Sequence, residues 1–247
     1  MVLIDKFARK LYNLIMKIKS VKLVSFRNYD YQIVDFPMQI TLVSGTNGQG
    51  KTNLVESVVV AATTKSPRTS NMSELVKDGS AETLVEILLD RKFGQMNLSF
   101  TINAKGEKKF FINSNPVSKM SDVFGNLVVV YFSPDDLKIV SASPDKRRDF
   151  MDTDISELSG SYYNLIQRYN KVLLQRNKLL KTERDRALLL AQIGVWDEQL
   201  AQIASLIIKT RKSFIEKLKV PAKEALKYIS SSKDDLEIEY VGVKGTS

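Results

Sequence analysis

The stretch of the chain richest in chemistry is Gly45-Thr46-Asn47-Gly48-Gln49-Gly50-Lys51-Thr52, which fits G-x-x-x-x-G-K-[ST]. Each position has a physical use. Triphosphate oxygens are best met by several converging backbone N–H groups, and glycines let the chain curl around them without Cβ clashes. A helix that starts at the loop points the positive end of its dipole at the same oxygens. The Lys51 ammonium can reach β- and γ-phosphates, and the Thr52 hydroxyl can ligate Mg²⁺. The context agrees: the apolar run 40–43 reads as a strand and 51–63 as a helix. A nucleotide site is therefore favoured over a plain glycine-rich turn.

Other charged groups near the loop are open to more than one reading. Arg68, in Lys65-Ser66-Pro67-Arg68-Thr69, could meet a phosphate or stack on adenine, and equally it could be a solvated surface arginine. Asp135 and Asp136 follow an apolar run through Ser133-Pro134. Strand ends are where α/β folds place functional carboxylates, but Ser-Pro-Asp-Asp also caps helices well, and capping is the preferred reading.

These residues need a scaffold, and the apolar pattern outlines one. Residues 21–27, 32–36 and 40–44 are rich in β-branched or aromatic side chains and read as strands. Further strands are expected at 82–90, 95–103 and 108–113, with 103–106 as the loop of a hairpin. The run 127–132 reads as a strand buried on both faces. From about Pro144 the period becomes helical, through Tyr162, Leu165, Ile166, Tyr169, Leu173 and Leu180, and again through Trp196, Leu200, Ile203, Ile207, Phe214 and Leu218. Two long helices joined near 181–194 are expected to form an antiparallel hairpin, followed by a helix at 221–231 that opens on Pro221. Residues 236–241 alternate like a strand returning to the sheet. The expected layout is thus an N-terminal extension at 1–15, an ATP-binding lobe at 16–143, a helical lobe at 144–233 and a returning strand at 234–247. The basic amphipathic extension is read as a packed or frayed helix, or as preceding a true start at Met16, rather than as a membrane-surface helix.

Composition narrows the partners. The 247 residues contain no cysteine and no histidine, which excludes a disulfide scaffold, a zinc finger, a thiol nucleophile and His-based acid/base chemistry. Lys and Arg number 37 against 28 Asp and Glu, a net of +9 that suits an anionic partner. Most of it lies in residues 145–233, where 18 Lys/Arg face 11 Asp/Glu for a net of +7. Arg147, Arg148, Arg168, Lys171, Arg176, Lys178, Lys181, Arg184 and Arg186 could track DNA phosphates, or could simply solvate the outer helix faces. No base-reading module is visible, so DNA contacts are expected to be backbone-directed and salt-dependent. Trp196, Tyr162 and Tyr169 are read as core. No apolar run approaches the roughly 20 residues of a membrane span, so no membrane partner and a cytoplasmic location are expected.

Together these motifs resemble the RecF family of bacterial DNA replication and repair ATPases, whose head is similar to SMC- and ABC-type ATPases. The residues that carry the resemblance begin with Phe26-Arg27-Asn28-Tyr29, the phosphate loop through Asn53-Leu54, and Arg68-Thr69-Ser70. They continue with Ile112-Asn113, Pro116-Val117, Phe132-Ser133-Pro134-Asp135-Asp136-Leu137 and Arg147-Arg148-Asp149-Phe150-Met151-Asp152. Gln175-Arg176-Asn177 and Trp196-Asp197-Glu198-Gln199-Leu200 complete the series in the family's order. Pro67 and Met151 depart from the family's usual histidine and leucine. The resemblance implies an α/β fold: an ABC/SMC-like ATPase head with a mixed sheet and an inserted helical lobe. It also implies ATP and Mg²⁺ as cofactors and an ATP-dependent homodimer. Single-stranded, gapped and double-stranded DNA are the implied partners, with RecO- and RecR-type repair proteins. The family's signature segment and acidic Walker B strand are not found, so no catalytic residue is assigned, and the chain is expected to be a family member stopped early. Two readings follow: a RecF-type DNA-binding ATPase aiding recombinase loading, or a nucleotide-gated DNA-binding module that holds ATP without hydrolysing it. A third is a structural DNA-binding remnant with a vestigial loop. Apolar surface around 127–131 is expected to be exposed.

Overall fold

A computed structural model of the protein describes residues 16–139, 141 and 143–242. The extension expected at 1–15 and the end of the returning strand fall outside the described residues. The chain divides into two compact units, with the boundary after Asp136.

The first unit is built on a six-stranded antiparallel sheet. In chain order its strands are β1 (Met16–Phe26), β2 (Tyr29–Asp35), β3 (Glu82–Arg91), β4 (Gly94–Asn103), β5 (Lys108–Ile112) and β6 (Asn115–Pro116). Their order across the sheet is β2-β1-β3-β4-β5-β6. Alternation sets the buried face: Thr83, Val85, Ile87 and Leu89 of β3 all point inward, because successive strand residues face opposite sides. The register then aligns apolar residues in rows. Leu23 pairs with Val85, Val85 with Phe100, and Phe100 with Phe110, while Val21, Ile87 and Leu98 form the neighbouring row. The Phe100 and Phe110 rings lie 5.5 Å apart at a tilt of 34°.

Helix α1 (Lys51–Thr63) covers this face, with Leu54, Val60, Ala61 and Ala62 buried in the same core. Val58, Val59 and Val60 are poor helix formers, so burial rather than propensity holds the helix, at about 1.5–3 kcal/mol per buried Val or Leu. Its last turn ends on Thr64 at φ 61, whose amide bonds the Val60 carbonyl. The Lys108 ammonium donates to the Thr64 carbonyl at 2.5 Å, placing a cation at the negative end of the helix. Burial, with Lys65 nearby, pushes the Lys108 ammonium below its usual range.

The two remaining strand expectations in this unit need correction. Residues 40–44 and 127–132 join no ladder among the described residues. Ile40 is 90% exposed, Leu42 88% and Val130 99%. Leu127 alone of its run is buried and Val129 packs partly against the core, so the exposure expected around 127–131 is seen at Val128 and Val130. An apolar run expresses a need for burial, but a strand also needs a neighbour to take its N–H and C=O groups, and no ladder forms here. Consequently every ladder among the described residues is antiparallel, and the parallel part of a mixed sheet is not formed by them.

The second unit is helical: α2 (Pro144–Leu158), α3 (Gly160–Thr182) and α4 (Arg186–Ile229). Ser143, Ser159 and Asp185 cap their N-termini, each side chain accepting from a first-turn amide. Helices α3 and α4 form the expected hairpin, but the connection is only 183–185, far shorter than the 181–194 allowance. Helix α4 also runs unbroken through Pro221 to Ile229, so the separate helix at 221–231 is instead its C-terminal end. Ile155, Tyr162, Val172, Ile203 and Ile207 form the core, with Tyr169 and Trp196 packed against it as expected. Residues 236–241 form no strand; Lys223 pairs with Asp235 at 3.0 Å, and the segment runs beside Lys219 and Val220 of α4.

Candidate nucleotide site

The phosphate loop is exposed from Gly45 to Gln49, and the glycines carry its curl. Gly48 has φ 84 and Gly50 φ 97, in the left-handed region that side chains avoid. Gly50 is also the N-cap of α1, and a Cβ there would lie 2.8 Å from the Tyr29 ring and 2.9 Å from Asn28 Oδ1. No side chain caps α1 and no acid occupies its first turn, so the N-terminal amides of the helix stay available to an anion. Lys51 Nζ donates to the carbonyls of Gly45 at 2.8 Å and Thr46 at 2.7 Å, holding the loop closed over its own ammonium. Thr52 is exposed at the helix start, its hydroxyl unpartnered among the described residues. Thr46, Asn47 and Gln49 line the solvent side of the curl. These features fit a phosphate chain: uncapped helix-start amides, the Lys51 ammonium and no acid in the first turn of α1.

Behind the loop stands a charged frame that sequence reasoning missed. Glu56 of α1 is 1% exposed. Arg27 grips it twice, Nε donating to Oε2 at 3.0 Å and Nη2 to Oε1 at 2.7 Å, while Ser66 Oγ donates to Oε1 at 2.6 Å. Arg68 Nη1 donates to Oε2 at 3.0 Å and to Asn53 Oδ1 at 2.6 Å. Arg68 is therefore neither remote from the loop nor simply solvated: the structure brings it to the first turn of α1. Burial pushes the Glu56 carboxyl up, but hydrogen bonds from Arg27 and Ser66 and the charges of Arg27 and Arg68 outweigh it and hold the group below the usual carboxylate range. Arg27 sits at the tip of the β1–β2 hairpin with φ 54, and its strained backbone is tied down by its amide donating to the Leu75 carbonyl at 2.9 Å. A lone glutamate on the apolar face of α1 was the available signal for this frame.

Asp136 behaves as a cap: its Oδ2 accepts from the Ser133 amide at 2.6 Å and the Ser133 hydroxyl at 2.9 Å.

In the helical unit the basic residues separate by role. Arg168, Lys171 and Lys178 are exposed, and the steps of three and seven residues between them keep them on one side of α3. Arg176 instead pairs with Asp197 across the hairpin, and Arg148 pairs with Asp145. Arg147 is exposed at the start of α2. No helix of the described residues is long and apolar enough to cross a membrane.

The model of the RecF/RecN/SMC N terminal domain matches residues 17–166, which contain the whole phosphate loop, its Glu56 frame and the start of α3. The chain belongs to this family. Among its relatives are the DNA replication and repair proteins RecF of Alkaliphilus oremlandii, 36% identical over 91% of this chain, and of Clostridium acetobutylicum, 39% identical over 93%. The chain spans 61% of the length of the first and 63% of the second. The solved structure of the recombination mediator protein RecF-ATP in the RecFOR pathway aligns over 95% of this chain and 63% of that one, at TM-score 0.85 and 33% identity. The RecF-ATPrS structure aligns at TM-score 0.83 over 94% of this chain. The expected ATPase-head fold with its helical lobe therefore stands.

Proposed function

We propose that this chain is the nucleotide-binding head and basic helical lobe of an ATP-dependent DNA-binding protein of replication and recombinational repair. The observation that carries the reading is the phosphate loop, with Gly45, Gly48 and Gly50 curling the backbone and Lys51 inside the curl, in a chain 33% identical to a RecF solved with ATP. The residues to hold the triphosphate are Gly45, Thr46, Asn47, Gly48, Gln49 and Gly50 through their amides, Lys51 through its ammonium and Arg68 through its guanidinium. Thr52 Oγ1 would hold Mg²⁺, with water and phosphate oxygens completing the shell. Its charge would offset that of the phosphate oxygens beside Thr52.

DNA phosphates are assigned to the exposed row Arg168, Lys171 and Lys178, with Arg147 of α2 also exposed. Arg148 and Arg176 rank below Arg168, Lys171 and Lys178, because each already has an acidic partner. Single-stranded, gapped and double-stranded DNA, RecR- and RecO-type proteins and a second copy of the chain bridged by ATP complete the proposed set of partners, in the cytoplasm. Retention of labelled gapped DNA with and without ATP and Mg²⁺ tests the reading. The wild type should bind more tightly with ATP, Lys51→Ala should lose that increment, and affinity should fall log-linearly with salt. DNA affinity indifferent to ATP, and equal in Lys51→Ala, would refute it.

A further inference from the structure

The frame behind the phosphate loop is a directional chain of hydrogen bonds, and both of its ends are chemically fixed. At one end Asn28 Nδ2 donates to the Gly48 carbonyl at 3.4 Å, a long bond to an oxygen that can only accept. Asn28 is thereby left with Oδ1 toward its other neighbour, and it accepts there from Asn53 Nδ2 at 2.8 Å. At the other end Arg68 Nη1, which can only donate, reaches Asn53 Oδ1 at 2.6 Å. The orientation of each amide is therefore dictated from both sides. Beyond Arg68 lies the buried Glu56 carboxylate, shared with Arg27 and Ser66. Ser66 Oγ also accepts the backbone amides of Arg68 at 3.0 Å and Thr69 at 3.2 Å, so the backbone and the side chain of Arg68 are held by the same cluster.

Pinning through Nη1 leaves the Nε and Nη2 donors of Arg68 without a protein partner among the described residues, on a side chain 44% exposed. Asn53 directly follows Lys51 and Thr52 in the first turn of α1. A second cation with open donors is thus held at a set position beside the loop.

We propose that Asn53 and Glu56 are positioning residues for Arg68, and that Asn28 links their placement to the Gly48 carbonyl, so that loop curl and Arg68 direction are set as one unit. The proposal rests on the nucleotide-binding reading above. Without the frame, Arg68 is a long side chain with many rotamers, and fixing it at the moment of binding costs conformational entropy that a pre-formed frame avoids.

Titration of a fluorescent ATP analogue into the full chain tests this, with melting curves confirming that each variant is folded. Arg68→Ala and Asn53→Ala should each weaken binding by about five- to tenfold, as expected for a lost charge-assisted contact or its support. The decisive measurement is the double variant. If Asn53 acts through Arg68, Asn53→Ala should cost almost nothing further once Arg68 is alanine. Asn28→Ala combined with Arg68→Ala should likewise show losses smaller than additive. A purely structural role predicts the same Asn53→Ala loss in both backgrounds, and that result overturns the proposal. So does unchanged affinity in Arg68→Ala while Lys51→Ala still abolishes binding, which would leave the nucleotide reading intact. Failure of the wild type to bind the analogue, or equal binding by Lys51→Ala, would overturn both.

Discussion

Tyr29 stands where a side chain on Gly50 would have to go: a Cβ there would fall 2.8 Å from the ring and the hydroxyl. The β1–β2 hairpin and the phosphate loop are therefore fitted to one another at a glycine, as well as through the Asn28 amide.

This fit separates two glycines that look alike in the motif. Gly50→Ala adds both a steric clash and a positive-φ cost, and should destabilise the chain by about 2–4 kcal/mol. Gly48→Ala meets nothing within 4 Å and carries only the backbone cost, about 1–2 kcal/mol. Urea unfolding of both variants checks the order. Equal losses would show that Tyr29 yields freely.

The helical unit has its own partly buried charge pair. Arg211 Nε and Nη2 grip Asp152 at 2.8 and 2.6 Å, and Tyr162 OH donates to the same carboxylate at 2.5 Å. Burial first, then the neighbouring Asp152, pushes the Tyr162 hydroxyl above its usual range. Breaking the pair leaves one charge without its hydrogen-bonded partner, so Asp152→Asn should cost about 2 kcal/mol and Arg211→Met a similar amount. Removing both should cost well under the total of the two. Strictly additive losses in chemical unfolding would contradict this description.

Asp154 supplies a pH dependence. Burial raises its carboxyl to about 6, above the roughly 4 of an unfolded chain, so the fold prefers the neutral acid. The stability contributed by the protonated form is complete below about pH 4 and is lost as pH rises through about 6. Asp154→Asn should therefore melt above the wild type at pH 7–8, and the gap should close near pH 4. A gap independent of pH would contradict the assignment.

What could be read in advance depended on how local the determinant was. The phosphate loop was legible because its glycines and Lys51 act within a few residues. The strands of the β3–β4–β5 meander were legible because period-two alternation states which face is buried. The Glu56 frame was not, since Arg27 lies 29 residues away and Arg68 12, and a lone acid in an apolar helix does not announce its partners. Residues 40–44 and 127–132 misled for a related reason: hydrophobicity reports a demand for burial, whereas pairing depends on a neighbouring strand. Arg176 looked like an equal of Lys171 and Lys178 in a list of basic residues. Its position on the hairpin-facing side of α3, opposite Asp197, emerges only when the two helices are packed.

The central claim is that the curl around Lys51 holds the phosphates of a nucleotide. Equilibrium titration of ATP with Mg²⁺ into the wild type and Lys51→Ala, followed by calorimetry, tests it most directly. The account predicts saturable binding by the wild type at one site per chain and a loss of at least about tenfold in Lys51→Ala, whose loop carbonyls and phosphates both lose a charged donor. Undiminished ATP affinity in Lys51→Ala would contradict it.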